Sequence, residues 1–156
     1  MRRKDREISD PGEMLAILKD CDCCRLGLTD GNEAYILPLN FGISGEGDDL
    51  TLYFHCAKEG KKIDLIKKSR YASFEADTDH VLVKGGNPCC FSFLYKSVMG
   101  RGEISLVEDV DEKILGMTKI MEHYADEEFP EIQAPMIERV CILKLDVTEW
   151  SCKAHA

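Results

Sequence analysis

Residues 24–29 alternate strictly. Cys24, Leu26 and Leu28 fall on one face of an extended chain, and Arg25, Gly27 and Thr29 fall on the other. That period of two is the mark of a half-buried strand, because a helix would scatter the same residues around its circumference. Asp30-Gly31 follows, a dipeptide suited to a tight hairpin turn. The next apolar run, 34–43, returns as a strand. Pro38 inside it offers no N–H to a ladder, so the strand belongs at a sheet edge or carries a bulge there. Gly45-Glu46-Gly47-Asp48-Asp49 makes a second turn, and 50–56 a third strand rich in β-formers. Three hairpin-linked strands predict an antiparallel meander. Further strands are expected at 71–77, at 80–84, at 91–107 with a bend at Gly100 and Gly102, and at 140–147. Six or seven strands with few helices make the chain mainly β with peripheral helices. The expected architecture is a closed or partly closed antiparallel barrel, with helices over its open ends or edges.

The helices have their own signals. Asp10-Pro11-Gly12-Glu13 combines a capping aspartate, a proline suited to the first helical position and a capping-box glutamate. Met14, Ile17, Leu18 and Cys21 follow on one face. Residues 57–69 read as a second helix, with Ile63 and Ile66 inward and lysines around the rest. Asp109-Val110-Asp111-Glu112 opens a third, striped by Ile114, Met117, Ile120, Met121 and Tyr124. Pro130 and Pro135 punctuate a loop before a short fourth helix. No internal repeat or low-complexity linker divides the chain, so residues 1–156 are expected to form a single domain.

The formal charge of −9 repels a phosphate backbone, which argues against nucleic acid as a partner. The charge is uneven. Residues 103–131 carry ten acids against Lys113 and Lys119, whereas residues 55–70 carry six bases against Glu59 and Asp64. A basic island of that size can hold one small anion. No apolar run is long enough to span a bilayer, and the charged opening residues do not read as a secretory leader. A cytoplasmic setting without membrane attachment is therefore expected. Eight cysteines at 21, 23, 24, 56, 89, 90, 141 and 152 then read as reduced thiols, most of them small buried apolar groups. Their spacing fits no common pair of zinc knuckles, so no metal site is assigned. Cys21 and Cys152, read as exposed, leave a redox role open.

The richest stretch for chemistry is Leu52-Tyr53-Phe54-His55-Cys56-Ala57-Lys58-Glu59-Gly60-Lys61-Lys62. A strand ends near His55, and a helix begins with Gly60 and two lysines. Cations at a helix N-terminus oppose its dipole, so Lys61 and Lys62 make sense there if an anion such as a phosphate sits between them. The competing reading is a solvated, lysine-rich helix face. His55 is either a hydrogen-bonded imidazole without chemistry or, this close to the presumed anion, a donor to phosphate or substrate. His80 reads as a surface residue, His123 as lying on the polar side of its helix, and His155 as part of a mobile end. Trp150, the only tryptophan, reads as packing or as a stacking surface. No nucleophile elbow, Walker loop, dinucleotide fingerprint or zinc-protease motif is present.

Four segments in order resemble the pyridoxamine 5′-phosphate oxidase-related FMN-binding proteins, and most closely their nitroimidazole-resistance branch. They are Met1-Arg2-Arg3-Lys4-Asp5-Arg6-Glu7-Ile8, Leu37-Pro38-Leu39-Asn40-Phe41-Gly42, Leu52-Tyr53-Phe54-His55 with Gly60-Lys61-Lys62, and Tyr95-Lys96-Ser97-Val98-Met99-Gly100-Arg101-Gly102. The resemblance implies a split β-barrel and a homodimer with FMN at its interface. It places Pro38, Leu39 and Asn40 beside the isoalloxazine, His55 and Cys56 at the strand end by the cofactor, and Lys61 and Lys62 on the phosphate. Tyr95 and Ser97 would come from the other subunit. Trp150-Ser151-Cys152-Lys153 is similar to a Trp-Ser-Gly-Lys segment that closes over the flavin, with Cys152 in place of the glycine. Cys56 stands where a small hydroxyl residue is common. The arginine-rich tail of true pyridoxamine phosphate oxidases is not found, so vitamin B6 oxidation is disfavoured. The implied activity is an FMN-dependent oxidoreductase reducing small electron-poor molecules with NAD(P)H as donor, and His55 as the catalytic candidate. The alternatives are a flavin-binding module without turnover, or a split barrel holding haem or a deazaflavin.

Overall fold

The computed structural model describes residues 3–125 and 127–155. Its strands are β1 (Glu7–Ile8), β2 (Cys24–Asp30), β3 (Glu33–Leu39), β4 (Phe41–Ser44), β5 (Thr51–Cys56), β6 (Tyr71–Val83), β7 (Ser92–Leu106) and β8 (Cys141–His155). Its helices are α1 (Pro11–Lys19), α2 (Lys61–Lys68), α3 (Val110–Tyr124) and α4 (Ala134–Ile137). One antiparallel sheet runs in the order β3-β2-β6-β7-β8-β5-β4, with β1 added beside β8. The two ends of that order, β3 and β4, are neighbours in the chain, separated by Asn40 alone. The sheet therefore curls back on itself and meets at a seam. This is the split barrel.

That seam corrects the expected meander. β2 pairs β3 and β4 pairs β5, but β3 and β4 do not pair, and the run 34–43 is two strands rather than one. Pro38 sits on β3 at the sheet edge, where a missing N–H costs no ladder bond. The inner face of the barrel is filled by alternating residues such as Leu26, Phe54, Phe74, Val98, Leu143 and Leu145, all buried. A second, smaller apolar cluster lies outside the barrel wall. There α3 and α4 cover Tyr53 and Ile142 with Ile120 and Ile137. Gly42 permits this covering, since a Cβ there would lie 2.3 Å from the backbone nitrogen of Ile120.

Local signals are obeyed at the helix starts. The Asp10 carboxylate accepts the Glu13 N–H at 2.9 Å, and the Asp109 carboxylate accepts the Glu112 N–H at 2.9 Å. Elsewhere tertiary pairing overrides local reading. The strands expected at 71–77 and 80–84 are one strand, irregular between Thr78 and Val81, because β7 templates its whole length. The final strand runs on past 147 to His155, held by β7 on one side and β1 on the other. The bend expected at Gly100 and Gly102 appears as a register shift between Arg101 and Gly102 against β8. The second helix begins only at Lys61, since Gly60 has φ +125°, outside helical geometry.

Three side-chain expectations are also corrected. Cys21 and Cys152 are fully buried, and burial raises their thiols to about 12 and about 11, so neither is an exposed redox group. His123 is not on a polar face. Its ring lies 4.4 Å from the Phe41 ring, and its Nε2 donates to the Cys21 carbonyl at 2.9 Å. The His155 ring nitrogen Nδ1 lies 2.9 Å from the Phe93 carbonyl, inside β8 rather than in a loose end. No helix of the described residues is long and apolar enough to cross a membrane.

Candidate functional site

β5 delivers two residues to the edge of the barrel with opposite orientations. Cys56 points inward and is buried, and His55 points outward and is exposed. The β4–β5 ladder pairs Phe41 with Phe54. Continued by one step, it sets Asn40 across from His55. The seam residue and the imidazole thus share one corner. Tyr124 fastens that corner from α3. Its hydroxyl accepts the Phe41 N–H at 3.2 Å and donates to the Asp22 carbonyl at 2.9 Å. Burial raises the Tyr124 hydroxyl above its ordinary range, which keeps it a neutral donor.

Residues 57–60 turn away from β5, and α2 begins. Ile63 and Asp64 both direct their N–H groups to the Gly60 carbonyl. No side chain caps this helix, and among the described residues the N–H groups of Lys61 and Lys62 meet no protein acceptor. Two backbone donors and the positive end of the helix dipole therefore meet here, on the two residues that also carry ammonium side chains. Gly60 adds open space, since a Cβ there would meet nothing within 4 Å. This donor set matches a phosphomonoester dianion. The two lysines differ. Lys61 is exposed, its Nζ 2.7 Å from the Asp30 carboxylate and 4.9 Å from the Tyr35 ring centroid. Lys61 holds the Asp30 carboxyl below the usual range and is itself raised by the pair. Lys62 is half-buried near the Cys56 thiol.

Of the remaining expected site residues, Pro38 and Asn40 are exposed and Leu39 is partly buried against the core. Tyr95 pairs with His155 and Ser97 with Lys153 across the β7–β8 ladder, and all four are half-buried. Trp150, opposite Gly100, packs partly against the core. Trp150 and Lys153 are thus strand residues of β8.

The chain does not bring these groups together. His55 faces Ile142 on β8, whereas Ser97 faces Lys153 on the same strand. Those two points lie eleven residue steps apart along β8, on the order of 30 Å of extended strand. His55 lies on β5 ahead of the turn to α2, Lys61 reaches from the start of α2 to Asp30 on β2, and Tyr95, Ser97 and Lys153 form a separate group on the β7–β8 ladder. Sequence reasoning missed Asp30, Tyr35 and Tyr124. Asp30 was visible only as a turn residue, and no local signal announces an ion pair formed across 31 positions of chain.

The profile of the pyridoxamine 5′-phosphate oxidase family matches residues 10–154. The chain is 31% identical to a protein of Bacteroides thetaiotaomicron whose proposed role is 5-nitroimidazole antibiotic resistance. That alignment covers 95% of this chain and 86% of that one, with a TM-score of 0.79. The fold also matches the flavocytochrome Anf3 of Azotobacter vinelandii at 21% identity, TM-score 0.79, over 100% of this chain and 72% of that one. It matches an FAD and haem binding protein of Mycobacterium smegmatis at 15% identity, TM-score 0.81, over 96% and 73%. No curated protein sequence matches. The curled antiparallel sheet defines the class as a split barrel, and the match over residues 10–154 shows that the chain belongs to the pyridoxamine 5′-phosphate oxidase family.

Proposed function

We propose that the protein binds FMN at the interface of a homodimer and reduces small electron-poor organic molecules, such as nitroaromatics, with electrons from NAD(P)H. The observation that carries this reading is the start of α2, where the free N–H groups of Lys61 and Lys62 and their ammonium groups offer a seat for the phosphate. When bound, the flavin supplies the redox chemistry. The chain supplies placement. Pro38, Leu39 and Asn40 form the edge along which the ring would lie, and the exposed imidazole of His55 can orient a substrate or hand it a proton.

Two observations support a second copy. His55 on β5 and the Tyr95–Ser97–Lys153 group sit too far apart to serve one ligand in one chain. The hairpin of β6 and β7 also exposes Val81, Leu82, Val83, Phe91 and Phe93 beyond Tyr95, an apolar tip of the kind a partner covers. In the dimer Tyr95 and Ser97 would reach the flavin of the other subunit.

A visible spectrum of the purified protein tests the reading. Flavin bands that bleach with NADPH and return with a nitroaromatic support the enzyme. Flavin bands inert to every donor leave a binding module without turnover. A Soret band assigns the barrel to haem, and colourless protein that ignores added FMN overturns the proposal.

A further inference from the structure

Cys56 and Cys141 form the last cross-strand pair of the β5–β8 ladder. Directly opposed residues of an antiparallel pair have Cα atoms about 4.5–5.5 Å apart and send their side chains to the same face. A disulfide requires about 4.4–6.8 Å between Cα atoms. Both residues belong to the inner cluster of the barrel, and both thiols are free. Their surroundings differ from those of the other buried cysteines. Cys21, Cys24 and Cys152 are 0% exposed, whereas Cys56 retains 9% and Cys141 retains 7%. Cys141 lines an open cavity of about 260 Å³ together with Lys58, Val107, Glu108, Lys113 and Val140. A small polar molecule can therefore reach this pair from solvent.

We propose that Cys56 and Cys141 are a redox modification site, oxidised by hydrogen peroxide to a cross-strand disulfide. The Cys141 sulfur, at the cavity, attacks one peroxide oxygen. The O–O bond breaks, and hydroxide leaves, taking up the thiol proton as water. The Cys56 sulfur then attacks the resulting sulfenic acid. The S–S bond forms, the S–O bond breaks, and a second water departs with the Cys56 proton. Two thiols lose two electrons and one peroxide gains them. Burial pushes the Cys56 thiol up, with the neighbouring Cys141 thiol adding to the shift. Cys56 therefore holds little thiolate at neutral pH, which slows its attack on the sulfenic acid.

The bond clamps β5 to β8 directly ahead of the turn that leads to α2. It closes a loop of 85 residues, long enough to restrict the unfolded chain strongly. It does not depend on flavin binding. The linkage is read by mass, and colour plays no part in it, so the two proposals fail separately.

The test uses the full-length protein with the more exposed thiols removed (Cys23→Ser, Cys89→Ser, Cys90→Ser). The protein is treated with hydrogen peroxide, unfolded, alkylated and digested with trypsin. Residues 26–58 and 140–144 are released as peptides holding Cys56 and Cys141 as their only cysteines. The expected product is these two peptides joined, lighter by two hydrogens and separated again by dithiothreitol. The melting temperature should rise by roughly 5–10 °C and fall back on reduction. Cys56→Ser and Cys141→Ser should each abolish both effects. Free thiols after oxidation, a sulfinic acid at either position without linkage, or a bond to another cysteine would overturn the proposal. The mass readout on the triple variant stands even where a single serine variant fails to fold.

Discussion

α1 and α3 each begin on an aspartate whose carboxylate accepts the third helical N–H, and each carries further acids in its first turn. α2 begins on Gly60 without a side-chain cap and opens with two lysines, its first-turn acid, Asp64, coming only at the fourth helical position. The first arrangement serves the helix itself, because anions complement its positive end. The second works against the helix and leaves donors for something else. The fold thus contains two helix starts capped by aspartate and, at α2, one with uncapped donors beside two lysines, and the contrast can be tested.

The largest effect should come from Lys61→Ala/Lys62→Ala. Each charge-assisted bond contributes about 1.5–3 kcal/mol, so FMN affinity should fall by roughly 100-fold or more. Flavin fluorescence titration measures this, and unchanged affinity would return these lysines to an ordinary solvated face. Next come Asp10→Ala and Asp109→Ala, each expected to cost about 1 kcal/mol in urea unfolding while FMN affinity stays the same. Lys62→Glu inverts the comparison. The apoprotein should gain a few tenths of a kcal/mol at low salt, as an acid replaces a base at a helix start, while flavin binding is lost. A variant that lost both stability and binding would show that Lys62 serves the fold.

The smallest signal is a titration. Asp30 is held below the usual carboxylate range by Lys61. A carboxyl lowered in the folded state contributes stability at neutral pH, and that contribution is lost as pH falls through its folded value. Phosphate competes for the same ammonium group, so FMN should let the Asp30 carboxyl climb back toward its ordinary value. NMR titration of Asp30 with and without FMN checks this, and an unmoved carboxyl would place the phosphate away from Lys61.

Much of this organisation was legible in the chain. The alternation at Cys24–Leu28, the edge position of Pro38, the two aspartate caps and the glycine bend in β7 are each fixed by residues within a few positions of one another. What escaped depends on partners far along the chain. The second half of β8 has no strong pattern of its own and is a strand because β7 and β1 flank it. Cys21 and Cys152 look like surface thiols until the barrel closes over them, and His123 becomes a packing residue only where Phe41 meets it. At the candidate site, the lysines and His55 could be read from one segment, but Asp30 and Tyr124 could not. The cross-strand pairing of Cys56 with Cys141 likewise exists only in the register of two strands.

The single-residue joint between β3 and β4 also limits how such a chain can vary. Side chains alternate in both strands, so one amino acid inserted beside Asn40 would turn either Leu39 or Phe41 from the interior toward water. The turn at 45–49 carries no such restriction. Length changes among related proteins should therefore gather at that turn and at the β6–β7 tip, while the joint at Asn40 keeps its spacing.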